Sequence, residues 1–342
     1  MDESTVGVPG VDGATVGVPG ADRTPAAGRR DEGQPATPDR PVDGGRDGGR
    51  TNRRRPVEGW LAEVWARTRL VQVLAGGEGA DPLDERPLLG WIEGAGPLAE
   101  LRSLSTRGRF TGGVCRCPGG FTLSLHDAGG EPLGRASLHG VDSVSWERGR
   151  FGDDLEVADP VGLALLLARH GAPGVVARFS SRLAVALGLR EGRPQVRQAG
   201  PGPHGAGLLA GRGVPDALRP ALAELSGLDA GRLPEARVAT LRDRLVESVP
   251  DAAERTLALL SWLGRLPDPM EADFGEGLLV RALLDDTHVL PTLTAHSPPP
   301  DPNLTLALLR WAARAARAAL TDPQDGATLA TLAAPALRRI LG

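Results

Sequence analysis

Two cysteines stand one residue apart, Cys115 and Cys117, in the segment Val114-Cys-Arg-Cys-Pro-Gly-Gly120. A Cys-x-Cys pair can supply two soft thiolates to one metal ion, half of a structural zinc set. It can also act as a redox pair in which a flanking Arg lowers a thiolate pKa. The competing reading is a structural pair packed as small hydrophobes. A fuller zinc site would recruit His126 and His139. If Leu125 faces Ala136 across a hairpin, His126 lies opposite Arg135 and His139 opposite Thr122. The two imidazoles are then four residues apart, about 13 Å at ~3.3 Å per residue, and a shorter turn separates them further. Zinc–nitrogen bonds are only ~2.0–2.1 Å, so at most one of the two histidines can join the cysteines. That leaves ligands unassigned, so no cofactor is predicted, and zinc is the one these residues would admit.

Other constellations carry less. Ser124, His126, Arg135, Ser137 and His139 are the residue types of a hydrolase, but no Gly-x-Ser-x-Gly elbow accompanies them and no acid is placed to orient a His. A solvated strand face accounts for them. Gly200-Pro-Gly-Pro-His-Gly205 matches Gly-x-Gly-x-x-Gly literally, but it follows a polar stretch and its prolines do not open a helix, so it reads as linker and not as a nucleotide site. Asp285-Asp286-Thr287-His288 has metal-like spacing and reads as an acidic helix end running into a loop before Pro291. His170, beside Arg169, suits the last turn of a helix, where cations favour the macrodipole. Arg310, Arg314 and Arg317 fall within about 60° of one helix face at 100° per residue. That stripe is the candidate surface for an acidic or phosphate-bearing partner, against the alternative of a solvated face.

The elements that must position these residues divide the chain unevenly. Residues 1–56 hold 11 Gly and 7 Pro and repeat Thr-Val-Gly-Val-Pro-Gly with a period of ten, from Thr5 and again from Thr15. This is the composition of a disordered arm. The segment 57–189 reads as an α+β module. Trp60, Leu61, Val64 and Trp65 mark a short helix, Leu70–Leu74 a strand, and Leu98, Leu101 and Leu104 a second helix. Residues 120–147 read as an antiparallel β-meander. Leu123, Leu125, Ala136, Leu138, Val144 and Trp146 share one face, and the Ser, Thr and His residues share the other, which is built for water or a ligand. Asp159-Pro160 opens a helix that Gly171 closes, and a further helix spans about 177–189. Residues 190–213 are a linker. From 214 to 342 the pattern is an irregular all-α domain, loosely HEAT-like, with helices expected near 214–226, 234–249, 251–266, 274–285, 304–320 and 325–341. No repeat of fixed length runs through it.

Composition removes whole classes of chemistry. The chain of 342 residues contains no Lys, so its 39 basic residues are all Arg. The usual phosphate-binding P-loop, Schiff-base chemistry and protein-kinase chemistry each require a Lys. Against 43 acidic residues the net charge is −4, which lacks the basic excess of a general nucleic-acid binder. Two cysteines cannot form a disulfide framework. No apolar run approaches the ~18–20 residues of a membrane span, and the Gly/Pro-rich start does not resemble an export signal. A cytoplasmic location with no membrane partner is the expectation.

Residues 57–171 carry short motifs: Cys-x-Cys-x-Gly at 115–119, a turn with Asp127 and Gly130, Leu-His-Gly at 138–140 and Ser-x-Ser-Trp at 143–146. In these the chain resembles a family of uncharacterised bacterial proteins of GC-rich, actinobacterial type, in which an α/β module precedes a helical tail. The resemblance covers about a third of the chain and implies no activity. The sequence favours a non-catalytic protein-interaction or scaffold protein with a protein partner. The alternative is a redox- or metal-dependent protein using Cys115 and Cys117.

Overall fold

Strand β1 (Leu70–Ala75) lies one place in from the edge of a seven-stranded, wholly antiparallel sheet. In chain order the other strands are β2 (Leu88–Glu93), β3 (Gly108–Phe110), β4 (Phe121–His126), β5 (Pro132–His139), β6 (Ser143–Trp146) and β7 (Asp154–Val157). Their spatial order is β2-β1-β4-β5-β6-β7-β3. The computed structural model describes residues 56–77, 82–189, 213–220, 234–266, 275–296, 301–315, 320 and 322–342. The N-terminal arm, most of the 190–213 linker, the Gly200–Gly205 motif and much of the helix expected near 214–226 lie outside the described residues.

The expected meander is β4-β5-β6, and the face assignment follows the pleat. Leu123 pairs with Ala136 and Ala136 with Trp146, while Phe121 pairs with Leu138 and Leu138 with Val144. These side chains, with Val71, Val73, Ile92, Leu155 and Val157, form the core of the sheet. Alternation puts one residue set inward on every strand, so a six-residue strand contributes about three core side chains. Helix α1 (Pro56–Arg67) and helix α2 (Ala95–Thr106) pack on this face. Trp146 meets Trp60 and Trp65 edge-on, with ring centroids 6.2 and 6.0 Å away, and its indole N–H donates to the Ser105 carbonyl at 3.1 Å.

The register differs from the one considered above by two residues. Leu123, not Leu125, stands opposite Ala136, and Leu125 pairs with Gly134. The cause is the turn. Asp127 Oδ1 accepts the N–H groups of Gly129 and Glu131, and Gly130 takes φ 83°, which closes the loop within 127–131. A shift of two conserves the faces, whereas a shift of one would have inverted them.

Helix α3 (Arg148–Phe151) is a single turn after β6. Helix α4 (Pro160–Arg169) opens as expected, with Asp159 accepting the Gly162 N–H at 2.7 Å and Pro160 in its first turn. Every residue from Val161 to Ala168 is buried, the pattern of a helix enclosed on all sides. The helix expected at about 177–189 is the shorter α6 (Ser180–Ala186), and a separate short helix, α5 (Pro173–Ala177), precedes it. The helical part continues with α7 (Glu235–Ser248), α8 (Ala252–Leu263), α9 (Gly275–Leu283), α10 (Asp286–Ala295), α11 (Pro302–Ala315) and α12 (Pro323–Leu341).

Helix α10 corrects the loop expected before Pro291. Asp285 is its N-cap, accepting the Thr287 N–H at 3.0 Å, and Pro291 sits inside the helix. Pro291 is at the sixth helical position, where its ring costs one hydrogen bond near the helix start without ending the helix. Helix α12 lies across α4, so close that a Cβ on Gly326 would stand 2.4 Å from the Ala168 carbonyl oxygen. Leu306, Leu309, Ala330, Ala333 and Leu337 from α11 and α12 thereby join the core of the sheet, and Arg53–Gly342 forms one compact unit. Among the described residues no helix is long and apolar enough to cross a membrane.

Candidate metal centre

Much of the sheet's second face is closed to water, although Trp91 at its β2 end is exposed. Thr122, Ser124, Ser137, His139, Ser145 and Asp154 are all buried. Around them, Thr122 donates to the Gly76 carbonyl at 2.8 Å and accepts from Arg86 at 2.8 Å. The loop 111–120 is laid against the end of this face. Gly119 takes φ 81° and approaches so closely that a Cβ there would come within 2.9 Å of the Leu138 carbonyl oxygen and 3.4 Å of His139 Cε1. Both the backbone angle and the contact exclude a side chain at this position.

Three groups pin the loop. Its first part runs beside β7, with the Thr111 N–H on the Asp154 carbonyl at 2.9 Å and the Asp154 N–H on the Gly113 carbonyl at 2.8 Å. The Asp154 carboxylate, 4% exposed, then accepts the Cys115 N–H at 2.7 Å through one oxygen and the Ser145 hydroxyl through the other. From the outside, Arg148 donates to the carbonyl oxygens of both Cys115 and Cys117, the latter at 2.8 Å. Arg148 follows Glu147, whose φ of 40° is left-handed. Such a conformation costs a non-glycine residue about 1–3 kcal/mol. Reciprocal bonds hold it, as Glu147 N–H donates to the Arg135 carbonyl at 3.0 Å and Arg135 N–H to Glu147 Oε1 at 2.8 Å.

This scaffold brings three ligand atoms together. Cys115 Sγ and Cys117 Sγ are 2.8 Å apart, Cys117 Sγ is 3.1 Å from His139 Nδ1, and all three atoms lie within 4.8 Å of one another. Both cysteines are exposed, and His139 is only 3% exposed. The pair is asymmetric. The hydrogen bond from Cys115 holds the Cys117 thiol below its ordinary range, helped by the Gly119 N–H and the charge of Arg148 against the cost of burial. Cys115 is pushed up, chiefly because its proton is the one shared with Cys117. Cys117 is thus the first to ionise.

His126 takes no part. Its Nε2 is 3.0 Å from Ser124 Oγ and its Nδ1 is 3.1 Å from the Gly130 carbonyl, so it ties down the hairpin turn. In the observed register the ladder ends with Phe121 opposite Leu138, so His139 lies about six positions along the strand from His126, or about 20 Å. One imidazole stands beside the cysteines, within the limit of one that the spacing sets. Of the polar strand residues considered as a hydrolase face, Ser137 is buried and Arg135 is bound to Glu147 through its backbone.

The remaining candidates fall elsewhere. Asp285 is a helix cap, held below the usual carboxylate range by its bonds to Thr287, and Asp286 accepts the Trp311 indole N–H at 2.7 Å. His170 ends α4, where burial and then Arg169 lower its pKa. Arg310 is 1% exposed and donates to the carbonyls of Leu263 and Leu266, both at 2.7 Å. It therefore cannot belong to an interaction stripe. Its guanidinium is needed by the carbonyls at the end of α8, which have no partner within their own helix. Arg314 is exposed, and Arg317 lies outside the described residues. Sequence reasoning missed Asp154, Ser145 and Arg148. Asp154-Leu-Glu-Val157 does alternate polar with apolar, the available signal for the strand that carries Asp154.

Comparison with protein-family models, characterised proteins and solved structures finds no match for this chain.

Proposed function

We propose that this chain is a metal-dependent protein whose centre is a zinc ion held by Cys115 Sγ, Cys117 Sγ and His139 Nδ1, with a fourth position open to an external ligand. The observation that carries the reading is the convergence of two thiols and one imidazole from a loop and a strand end. Two thiolates with an imidazole are the donor set that zinc prefers among common divalent ions. Tetrahedral zinc with bonds of ~2.3 Å to sulfur and ~2.0–2.1 Å to nitrogen places two sulfurs about 3.8 Å apart and a sulfur and nitrogen about 3.6 Å apart. The ligand atoms need to spread by about 1 Å or less, a side-chain rotation that leaves the anchored backbone where it is.

The surroundings support the same reading. Cys117 is disposed to ionise, which zinc requires of its thiolate ligands. Asp154 and Arg148 fix the loop backbone from opposite sides, the kind of support that orients ligands. The buried imidazole of His139 against the sulfurs adds a third donor that the Cys-x-Cys pair alone lacks. The test is metal analysis of the purified full chain and of His139→Ala. One zinc per wild-type chain, lost in the variant while its circular dichroism is unchanged, supports the centre. Equal metal content in both would remove it.

A further inference from the structure

Resting on that zinc reading, we infer that the Cys115–Cys117 pair is a redox gate on the metal: a hydroperoxide converts the two thiolates to an intramolecular disulfide and expels the zinc. The sulfurs stand 2.8 Å apart, between the ~2.05 Å of a disulfide and the ~3.8 Å of a tetrahedral zinc pair. Each state is within about 1 Å of the observed one. Asp154 and Arg148 hold the two cysteines by backbone atoms, the Cys115 N–H on Asp154 and the two cysteine carbonyls on Arg148. The sulfurs can therefore exchange zinc for each other by side-chain rotation alone. Both cysteines are exposed to a small oxidant, and a Cβ on Gly112 or Gly113, beside them in the loop, would meet nothing within 4 Å. Once the sulfurs are joined, His139 is the one remaining ligand of the set, and a single imidazole does not retain zinc.

The chemistry balances as follows. One thiolate attacks a hydroperoxide: an S–O bond forms, the O–O bond breaks, and the leaving alkoxide or hydroxide takes a proton from water. The sulfur has lost two electrons and is a sulfenic acid. The second thiolate attacks that sulfur, the S–S bond forms, and the S–O bond breaks. The released hydroxide takes a second proton and leaves as water. Two thiolates, one hydroperoxide and two protons thus give a disulfide, an alcohol or water, and water. A dithiol reverses the step by thiol–disulfide exchange.

The experiment uses the zinc-loaded full chain and hydrogen peroxide, with a chromogenic chelator reporting free zinc, a thiol titration, and mass spectrometry of the peptide that contains both cysteines. The inference predicts that one zinc appears for every two thiols lost, that the peptide loses two hydrogens, and that dithiothreitol followed by zinc restores the starting state. In Cys115→Ser the remaining sulfur should stop at a sulfenic acid that dimedone traps. Zinc retained while both thiols oxidise would overturn the gate, as would zinc released with sulfinic acids and no disulfide, or a Cys115→Ser chain that dimedone does not label. A wild-type chain that takes up no zinc before oxidant is added would instead overturn the metal reading on which the gate rests.

Discussion

The sheet half and the helical half of this molecule both bury polar groups, and they use them differently. In the helical half, Arg310 answers the carbonyls of Leu263 and Leu266, and the Trp262 indole donates to Glu276 at 2.9 Å. These groups satisfy helix ends and one another, within a core of leucines and tryptophans. In the sheet half, Thr122, Ser137, Ser145, Asp154 and His139 are buried on one face because strand alternation sends every second residue there. A helix buries a stripe and exposes the rest, so a buried polar side chain in it serves local hydrogen bonding. A sheet with a loop across its second face buries an ordered array of polar groups, and such an array can hold a ligand. The difference puts the proposed metal centre on the sheet, where Cys115, Cys117 and His139 converge.

Substitutions that separate stability from metal binding can break this comparison. Trp146→Ala, in the sheet's apolar core, should cost the most, about 3–5 kcal/mol, measured by urea denaturation with the metal removed. Arg310→Met should cost roughly 2–3 kcal/mol, since it strands two carbonyls that now receive charged hydrogen bonds. Its zinc affinity should equal that of the wild type by competition with a chelator, and a loss of affinity would mean that the halves are not distinct in role. Asp154→Asn should show the reverse pattern, with affinity weaker by about 10- to 100-fold and stability lowered by only ~1 kcal/mol.

The smallest effect sharpens the electrostatic side. In metal-free protein the Cys117 thiol is held low by the Cys115 hydrogen bond and, further down, by Arg148. Alkylation of Cys117 should therefore reach half its maximal rate at a lower pH than a free cysteine does. Cys115→Ala removes the main donor to the thiolate, so less thiolate exists at any given pH and the profile should move upward. Arg148→Gln should move it the same way by a smaller amount, because a partly solvated charge is screened. A profile that moves downward in either variant contradicts the assigned cause.

Much of the sheet half is legible in the sequence. Period-two alternation in 121–146 identified three strands and both of their faces, and Asp159-Pro160 with Gly171 marked the ends of α4. The strands β2, β3 and β7 are not: Leu88-Leu-Gly-Trp-Ile-Glu93 does not alternate polar with apolar, Gly108–Phe110 has only three residues, and the four alternating residues Asp154–Val157 stand alone outside the meander. Asp285 was read as a helix end when it is a helix start. A capping Asp and an acidic last turn look alike until the following Pro291 is known to lie inside a helix. Arg310 had the spacing of a surface stripe, and only the tertiary path of α8 beside α11 makes it an interior residue. For the centre itself, Cys115 and Cys117 were found by type and spacing, and strand geometry limited the histidines to one. Neither could select His139 over His126 or reveal Asp154 and Arg148, since that choice is made by how the loop 111–120 folds back over Ser137 and Leu138.

The central claim is tested most directly by the zinc content of the full chain, measured by inductively coupled plasma mass spectrometry alongside Cys115→Ala, Cys117→Ala and His139→Ala. The account predicts one zinc per chain in the wild type and loss from each of the three variants, with His126→Ala retaining it. A wild-type chain without zinc that also fails to take it up, or a His139→Ala chain that binds it as tightly as the wild type, would contradict the account.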